Sequence, residues 1–291
     1  MLSRPSRYVW DQLRYIPLWS ALTATRWRAF DLRARALGTV IAVGMRWFPA
    51  ARRRFDRELL RVFPDMPRVE RMRICREMGR HMGRTLFEIY HNAEFQTRQD
   101  RFSVSGPGLA ALEEARAAGK GAIIVSGHFG QWDAVRAVLK ARGMETGGVY
   151  RPQINRHYER LLAAGIRAGG EPVITTGRVG TNTLLRHLRS GGFAAILLDE
   201  KYAEGERLPF LGLPALTSLA AARMALKYDL PMVPAYGTRA ENGIDVHVEF
   251  EAPIPHSDPT TMTRGFNDSI STRILVRPEQ WYWMLQRWQG T

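Results

Sequence analysis

The sequence predicts an α/β fold: a mostly parallel central sheet with helices on both faces, preceded by an N-terminal helical, membrane-associating segment. From residue 101 onward, short apolar runs alternate with stretches of helical periodicity. This alternation is typical of a parallel sheet whose faces are covered by helices. Residues 1–100 show helical patterns alone, and residues 1–60 combine basic and aromatic side chains, which suits a helix at a membrane surface.

The individual elements follow from the apolar runs and from the periodic stretches between them. The predicted strands are at 122–125, 146–150, 172–175, 193–198 and 231–236. The predicted helices are near 107–118, 130–142, 155–168, 180–190 and 217–228. The segment "IDVHVEFE" (244–251) alternates in polarity and predicts a more exposed strand, and the Trp-rich tail "RPEQWYWMLQRWQ" predicts a terminal helix.

The basic charge of the chain is concentrated at its N-terminus. The formal net charge is +14, and residues 1–60 hold twelve arginines against four acidic residues, with nine aromatic side chains among them. Such a field attracts nucleic acid, acidic proteins or an anionic membrane surface. The best apolar run, 36–45, is about half the ~20 residues that a helix needs to cross a bilayer. We therefore expect residues 1–60 to be a membrane-association segment, with a solvated basic extension as the alternative, and residues 61–291 to be the α/β domain.

The cysteine content limits which covalent and metal-binding features the chain can have. Cys75 is the single cysteine, which excludes an internal disulfide and a cysteine-based zinc cluster. It lies in a helical pattern, and we expect a buried structural thiol there. A chain without disulfides suits a reducing compartment, which means the cytosol or the cytosolic face of a membrane.

The stretch "GAIIVSGHFGQWD" (121–133) begins as a buried strand and ends in polar side chains. In a continuous helix His128 and Asp133 would point about 140° apart. The two can meet only if His128 stays in the loop after the strand and Asp133 lies in the first helical turn. A carboxylate on one ring nitrogen fixes the tautomer and leaves the other nitrogen as a base. The alternative is a histidine that is satisfied by local hydrogen bonds and has no chemical role.

Several familiar motifs do not occur in the chain. There is no Gly-x-Ser-x-Gly elbow, no Gly-x-Gly-x-x-Gly after the first strand, no Walker loop and no His-Glu-x-x-His. A His-Asp base without a protein nucleophile suits direct attack by a substrate hydroxyl on an activated acyl group. The absence of these motifs, together with the His-Asp pair, therefore favours acyl transfer over nucleotide chemistry or hydrolysis through a serine.

The motif at residues 128–133 and four further segments carry a resemblance to a known family. His128-Phe-Gly-Gln-Trp-Asp133 resembles the His-x4-Asp/Glu signature of the lysophospholipid acyltransferase superfamily. The wider pattern is similar to one branch, the lipid A (Kdo-lipid IVA) secondary acyltransferases. The segments similar to that branch are "VFPDMPRVERMRICREMGRHMGRTLFE", "GVYRPQIN" (148–155), "LLDEKYAEGERLPFLGLPALTS" (197–218) and "RPEQWYWMLQRW" (277–288). The resemblance covers roughly residues 55–290.

The resemblance implies the catalytic roles. His128 would be the general base on the acceptor hydroxyl, and Asp133 would orient the ring and offset the charge of the imidazolium. Arg151 would hold an anionic group or stabilise the oxyanion of the thioester. The alternative for Arg151 is a surface salt bridge.

The resemblance also implies residues that contact the substrates. Asp199 matches the acidic position of the branch, whereas Glu200 stands where Gln or His is more usual, so either carboxylate could be the functional one. Both could instead be polar residues at the end of a strand. The acyl chain needs an apolar groove, for which the substrate-binding candidates are Phe129, Trp132 and Phe210. The alternative for each of them is a side chain of the hydrophobic core.

The implied function is a membrane-surface O-acyltransferase that moves a fatty acyl chain from acyl carrier protein, or from coenzyme A, to a hydroxyl of a lipid A precursor. Another acceptor, such as a lyso-aminolipid or other lysolipid, is the alternative within this class. A basic nucleic-acid-binding protein is the alternative from another class. We expect no metal and no cofactor besides the thioester co-substrate, anionic membrane lipids as partners, no nucleic acid, a monomer, and a location on the cytoplasmic face of the bacterial inner membrane.

Overall fold

The computed structural model describes residue 20 and residues 26–290. Its strands are β1 (Phe102–Ser105), β2 (Ala122–Ser126), β3 (Thr146–Tyr150), β4 (Val173–Thr175), β5 (Phe193–Leu197), β6 (Glu206–Phe210), β7 (Leu213–Thr217), β8 (Met232–Arg239) and β9 (Val246–Phe250). Its helices are α1 (Phe30–Trp47), α2 (Pro49–Val62), α3 (Arg68–Tyr90), α4 (Asn92–Gln96), α5 (Gly108–Ala117), α6 (Ala134–Ala141), α7 (Arg156–Gly169), α8 (Arg178–Arg189), α9 (Ala220–Tyr228) and α10 (Pro259–Val276).

The central sheet has seven strands in the order β1-β9-β8-β2-β5-β3-β4. All neighbouring pairs are parallel except β8 and β9. Strands β6 and β7 form a separate antiparallel hairpin. The predicted fold class, a mostly parallel sheet in an α/β arrangement, is confirmed.

Strand β2 shows how the sheet buries both of its faces. Ile123 and Val125 belong to one hydrophobic cluster, together with α9, α10 and the C-terminal tryptophans. Ala122 and Ile124 belong to another, together with α5, α6 and part of α1. Because successive side chains of a strand point to opposite faces, the two clusters lie on opposite sides of the sheet. A strand buried on both faces reads as a continuous apolar run, as "AIIV" does.

The N-terminal helices pack closely on one another and on the sheet domain. Helix α1 runs along α3, and a Cβ atom on Gly83 would lie 2.7 Å from the Cα atom of Gly38. Phe30 of α1 stacks edge-on against Phe87 of α3. The described part of the predicted segment at 1–60 is therefore helical from residue 30. Residues 1–19 and 21–25 of that segment lie outside the described residues.

The structure differs from the sequence prediction at three places. The tail at 277–288 is not a continuous helix but two 3₁₀ turns, Pro278–Gln280 and Trp283–Leu285, because its tryptophan side chains enter the core from an irregular backbone. Strand β1, which the sequence did not predict, pairs beside β9, whose alternating exposure agrees with the prediction of a more exposed strand. The hairpin β6–β7 was also not predicted.

Candidate active site

The candidate site lies at the carboxyl ends of three adjacent strands. His128 follows β2, Asp199 and Glu200 follow β5, and Arg151 follows β3 directly. Strands β2 and β5 pair in register from Ala122 and Phe193 to Ser126 and Leu197, so their ends meet at one edge of the sheet. This edge is where open α/β sheets bind their ligands. The topology therefore brings His128, Asp199, Glu200 and Arg151 together, as the sequence led us to expect for His128 and Arg151.

The ring of His128 is held by Asp199. Its Nδ1 atom lies 2.9 Å from Oδ1 of Asp199, and its backbone N–H donates to Oδ2 at 2.7 Å. Asp199 is fully buried, whereas His128 keeps part of its ring exposed. A carboxylate accepts only, so the neutral ring carries its proton on Nδ1 and leaves the lone pair of Nε2 free. Nε2 points toward the rim, 3.9 Å from Oε1 of Glu200.

The two partners change each other's pKa. Burial disfavours the charged imidazolium, but the carboxylate of Asp199 outweighs burial, so the pKa of His128 is raised above its ordinary value. Burial likewise opposes ionisation of Asp199, but the facing imidazole and the hydrogen bonds to the carboxylate hold the pKa of Asp199 below its ordinary value. The pair is therefore arranged to stabilise an imidazolium next to an ionised carboxylate.

Trp281 is a third member of this arrangement. Its indole N–H donates to Oδ2 of Asp199 at 2.8 Å, and the ring is buried against Trp283 and Phe210. The carboxylate of Asp199 thereby makes three hydrogen bonds: to the ring of His128, to the backbone N–H of His128 and to the indole of Trp281. From the sequence, Trp281 was predicted only as part of a closing motif. The signal that could have found it is the indole N–H, a donor that is usually paired when buried, in a tail that resembles the closing motif of a known family.

The position of Asp133 corrects the sequence-based expectation. Asp133 does not contact the ring of His128. Its carboxylate accepts a short hydrogen bond from Asn92 and another from Nη1 of Arg136 at 2.9 Å. Asp133 and Arg136 are both buried. The orienting carboxylate of His128 is therefore that of Asp199, because the loop after β2 leads Asp133 away to the start of α6.

Arg136 makes Asp133 part of a buried structural network. The guanidinium also donates to the carbonyl oxygens of Thr146, Ile166 and Gly170 at 2.8–3.1 Å. These bonds join the start of α6 to β3 and to the end of α7. In this arrangement Asp133 fixes the far end of the loop that carries His128.

Two glycines allow the loop to take its path. A Cβ atom on Gly127 would lie 2.9 Å from the carboxyl carbon of Asp199, so only glycine lets the two strand ends approach closely enough for the His128 contact. Gly130 has a φ of +56°, a conformation that glycine adopts readily. Its carbonyl oxygen accepts from the hydroxyl of Thr85 at 2.9 Å, which ties the loop to α3.

The rim of the site carries an exposed ion pair. Nη2 of Arg151 lies 3.2 Å from Oε2 of Glu200, and the two side chains are 67% and 41% exposed. Glu200 thus stands between Arg151 and the free nitrogen of His128. Both groups face solvent, so a substrate can reach them without rearrangement of the core.

Two aromatic rings, those of Trp132 and Tyr282, lie near the ring of His128. The Trp132 ring lies edge-on to the imidazole with centroids 5.2 Å apart, and the Tyr282 ring lies 6.5 Å away. Trp132, a predicted substrate-binding residue, is partly exposed beside the site. Phe129 and Phe210 were predicted for the same groove, but both are 1% exposed and pack in the hydrophobic core. Tyr282 was not predicted, since its place depends on the irregular tail.

The described part of the chain contains neither a membrane-spanning helix nor a group of metal ligands. No helix in it combines the length and the apolar character that a membrane crossing requires. Nor do three or more His, Cys, Asp or Glu side chains in it cluster as metal ligands would.

The chain is similar in sequence to known proteins. The sequence model of the family described as bacterial lipid A biosynthesis acyltransferase matches residues 4–290. A lipid A biosynthesis acyltransferase from Haemophilus influenzae is 26% identical over 246 residues, which are 81% of this chain and 74% of that protein. A phosphatidylinositol mannoside acyltransferase from Mycobacterium tuberculosis is 23% identical over 185 residues, which are 62% of this chain and 58% of that protein.

The family match extends over nearly the whole chain, and both relatives are named as acyltransferases of lipids. The predicted resemblance and the predicted enzyme class are confirmed. The protein is an acyltransferase that transfers an acyl group to a lipid acceptor, and the chain belongs to the bacterial lipid A biosynthesis acyltransferase family.

Proposed function

We propose that the protein is an O-acyltransferase that moves a fatty acyl chain from an acyl thioester to a hydroxyl of a lipid A precursor, with His128 as general base. The observation that carries this proposal is the His128 ring, bonded through Nδ1 to buried Asp199 and open at Nε2. A histidine held in this way accepts a proton at the open nitrogen and stabilises the resulting charge on its other side.

The reaction then needs no nucleophile from the protein. Nε2 of His128 takes the proton of the acceptor hydroxyl while the oxygen attacks the thioester carbonyl. The tetrahedral intermediate collapses as the carbon–sulfur bond breaks, and the imidazolium returns its proton to the leaving thiolate. Asp199 offsets the imidazolium charge throughout, and Trp281 together with the backbone N–H of His128 keeps Asp199 ionised and in place.

Arg151 and Glu200 have a separate role in this proposal. The guanidinium stands at the edge of the site and is free to turn toward a developing oxyanion or an acidic headgroup, leaving Glu200. A planar guanidinium can donate two parallel bonds to such a group. The functional carboxylate of the base is assigned to Asp199, and Glu200 is assigned to the placement of Arg151.

The donor and the location are part of the same proposal. Acyl carrier protein and coenzyme A are both anionic, which suits a chain with a net charge of +14. The lipid acceptor and the basic, aromatic N-terminal segment suit a reaction at the cytoplasmic face of the bacterial inner membrane. Acyl carrier protein is the favoured donor, and coenzyme A is the alternative.

The acceptor has a second candidate. The M. tuberculosis relative is named for phosphatidylinositol mannoside, and this similarity favours the hydroxyl of a different glycolipid as the alternative acceptor. The higher identity and wider coverage of the H. influenzae relative favour a lipid A precursor. A lyso-aminolipid or another lysolipid remains a third acceptor to include in the assay.

The test is transfer of a radiolabelled acyl chain by the purified protein to a panel of acceptors. The panel offers a tetra-acylated lipid A precursor, a phosphatidylinositol mannoside and a lyso-aminolipid, each with acyl carrier protein or coenzyme A as donor carrier. We expect label in the lipid A precursor with the carrier-protein donor, and transfer roughly 10²- to 10⁴-fold slower with His128→Ala. His247→Ala, which changes an exposed histidine on β9, is the matched control and should retain transfer. Transfer to another acceptor alone would overturn the proposed substrate.

A further inference from the structure

A pocket of basic side chains lies between α2 and α3, apart from the His128 site. It has a volume of about 310 Å³ and is lined by Arg52, Asp56, Arg68, Arg71 and Met72. Three guanidinium groups thus face one carboxylate, and the excess of positive charge is open to solvent. An arginine-lined pocket of this kind is suited to a phosphate group, since guanidinium groups match phosphate oxygens in geometry and charge.

The arginines of the pocket differ in how they are held. Nε of Arg71 lies 3.3 Å from Oδ1 of Asp56, and its Nη1 atom donates to the carbonyl oxygen of Met66 at 2.6 Å. These two contacts fix the guanidinium of Arg71 in one place. It forms a preorganised wall of the pocket, and preorganisation reduces the entropy lost on binding.

Arg52 and Arg68 supply the unpaired charge. Several other arginines of the same two helices lie in ion pairs, among them Arg57 with Glu58, Arg73 with Glu70, and Arg76 and Arg80 with Glu77. Arg53, Arg54 and Arg84 of these helices are also outside the ion pairs of the described residues, but they do not line the pocket. Among residues 26–290, the ion pairs within 4.0 Å include neither Arg52 nor Arg68. Two guanidinium groups therefore face the pocket without an internal counter-ion, which is the state expected of groups that bind an external anion.

Three exposed apolar side chains lie in the wall of the pocket or near its residues along the helices. Phe48 is 67% exposed and lies one helical turn before Arg52, whose N–H donates to its carbonyl oxygen. Val69 is 82% exposed and follows Arg68 in the sequence, and Met72 of the pocket wall is 40% exposed. Single exposed apolar side chains are common, but a group of them rimmed by polar residues marks a contact surface. Basic groups among exposed apolar groups are the composition of a surface that rests on anionic lipid.

We propose that this pocket binds the phosphate of an anionic membrane lipid and so holds the α2–α3 hairpin on the bilayer surface. The charge of Arg52 and Arg68 and the exposed apolar side chains near them point to a lipid headgroup rather than to free phosphate. Helix α2 also contacts the tail near the active site, because Arg54 donates to the carbonyl oxygen of Met284. The inference rests on the proposed function only in that the acceptor lies in a membrane, and the binding itself is measured without turnover.

The test is partitioning of the full chain onto phosphatidylcholine vesicles that contain phosphatidic acid, at constant ionic strength. Each arginine near an anionic surface contributes about fivefold to partitioning, so Arg52→Gln with Arg68→Gln should reduce it about 30-fold. The matched control is Arg207→Gln with Arg223→Gln, which removes the same charge from two exposed arginines elsewhere. Charges away from the lipid contact are screened within about 8 Å, so the control pair should keep most of the binding.

Equal losses in the two pairs would overturn the proposal, because binding would then depend on total charge. Circular dichroism of both pairs checks that the fold is unchanged. If inorganic phosphate raises the melting temperature of the wild type while the Arg52→Gln, Arg68→Gln protein still binds vesicles normally, the pocket takes free phosphate and the lipid assignment is overturned. Loss of binding to acyl carrier protein with vesicle binding retained would assign the pocket to an acidic protein instead.

A further pair of measurements separates this proposal from the proposed reaction. His128→Ala should retain vesicle partitioning, since His128 does not line the pocket. Vesicle binding by the wild type without acyl transfer would contradict the proposed function and leave the phosphate site standing. Acyl transfer by the wild type, with vesicle binding that does not change in the Arg52→Gln, Arg68→Gln protein, would support the proposed function and overturn the phosphate site.

Discussion

At the scale of single residues, Asp199 decides what His128 can do. The imidazole acts as a base only when it is neutral, so kcat/KM falls as the pH drops through the pKa of His128. Because the Asp199 carboxylate raises that pKa, Asp199→Asn should move the acidic limb of the pH profile to lower pH. The plateau rate should fall roughly 10²- to 10⁴-fold, since an amide neither offsets the imidazolium charge nor selects the tautomer. Asp229→Asn, near the surface residue His256, is the control. An unmoved acidic limb in Asp199→Asn would contradict this coupling.

Trp281 acts through Asp199 and not on the substrate. Trp281→Phe keeps an aromatic ring in the core but removes the N–H that donates to Oδ2. We expect kcat to fall about tenfold, as for a hydrogen bond to a charged group, and the acidic limb to shift. The control is Trp283→Phe, whose indole donates to the carbonyl oxygen of Pro278 instead. The control should lose stability alone. Equal effects of the two substitutions on kcat would reduce Trp281 to a packing role.

The role of Arg151 can be separated by its kinetics. A residue that acts only in the transition state changes kcat, whereas one that binds substrate uniformly changes KM. We expect Arg151→Lys to lower kcat, because lysine keeps the charge but loses the planar fork. Arg167→Lys is the matched control, since Arg167 is also exposed and paired with a glutamate. A rise in the acceptor's KM alone would reassign Arg151 to headgroup recognition.

At the scale of elements, the second carboxylate of the motif belongs to the scaffold. Asp133 pairs with Arg136 in a buried network at the start of α6. Removing one partner of a buried pair costs about 3–5 kcal/mol, so Asp133→Asn should lower the free energy of unfolding by that amount, measured in urea. Acyl transfer should also fall, because the loop that carries His128 ends at Asp133. Asp268→Asn breaks an exposed pair with Arg264 and should change stability little. An unchanged unfolding midpoint in Asp133→Asn would contradict the scaffold role.

The same elements define what could be predicted from the sequence. The apolar run of β2 and the glycines after it predicted a loop histidine at the carboxyl edge of a parallel sheet, and this is where His128 lies. The partner of the ring could not be predicted in this way, because Asp199 is 71 residues away and is brought close only by the pairing of β2 with β5. Asp133 is close in sequence, but the buried Arg136 and Asn92 compete for its carboxylate.

Trp281 and Tyr282 were missed for another reason. The tail that contains them has neither helical nor strand periodicity. Its path is fixed by an isolated β-bridge between Phe129 and Trp281 and by hydrogen bonds between the side chain of Gln280 and the backbone of Arg239. Phe129 and Phe210 were predicted to line a substrate groove, but they are buried in the core. Their apolar character suited either a groove or the core, and only the tertiary structure distinguishes the two.

At the scale of the whole molecule, charge and catalysis are arranged in different places. The basic charge is concentrated in residues 1–60, which include helix α1 and most of α2, whereas the reactive groups lie at the carboxyl edge of the sheet. Helix α1 is also part of the folded domain, since Phe30 and Leu37 are buried in the core. A membrane-binding surface on these helices would therefore be rigidly joined to the acyl-transfer site.

The central claim is that His128 supplies the base for acyl transfer to a lipid hydroxyl. The direct measurement is single-turnover transfer from labelled acyl carrier protein to the lipid A precursor, with wild type and His128→Ala compared at equal folded concentration. Removal of a positioned base should slow the chemical step roughly 10²- to 10⁴-fold, with circular dichroism and vesicle binding unchanged. A His128→Ala protein that transfers the acyl chain at a rate near that of the wild type would contradict the account.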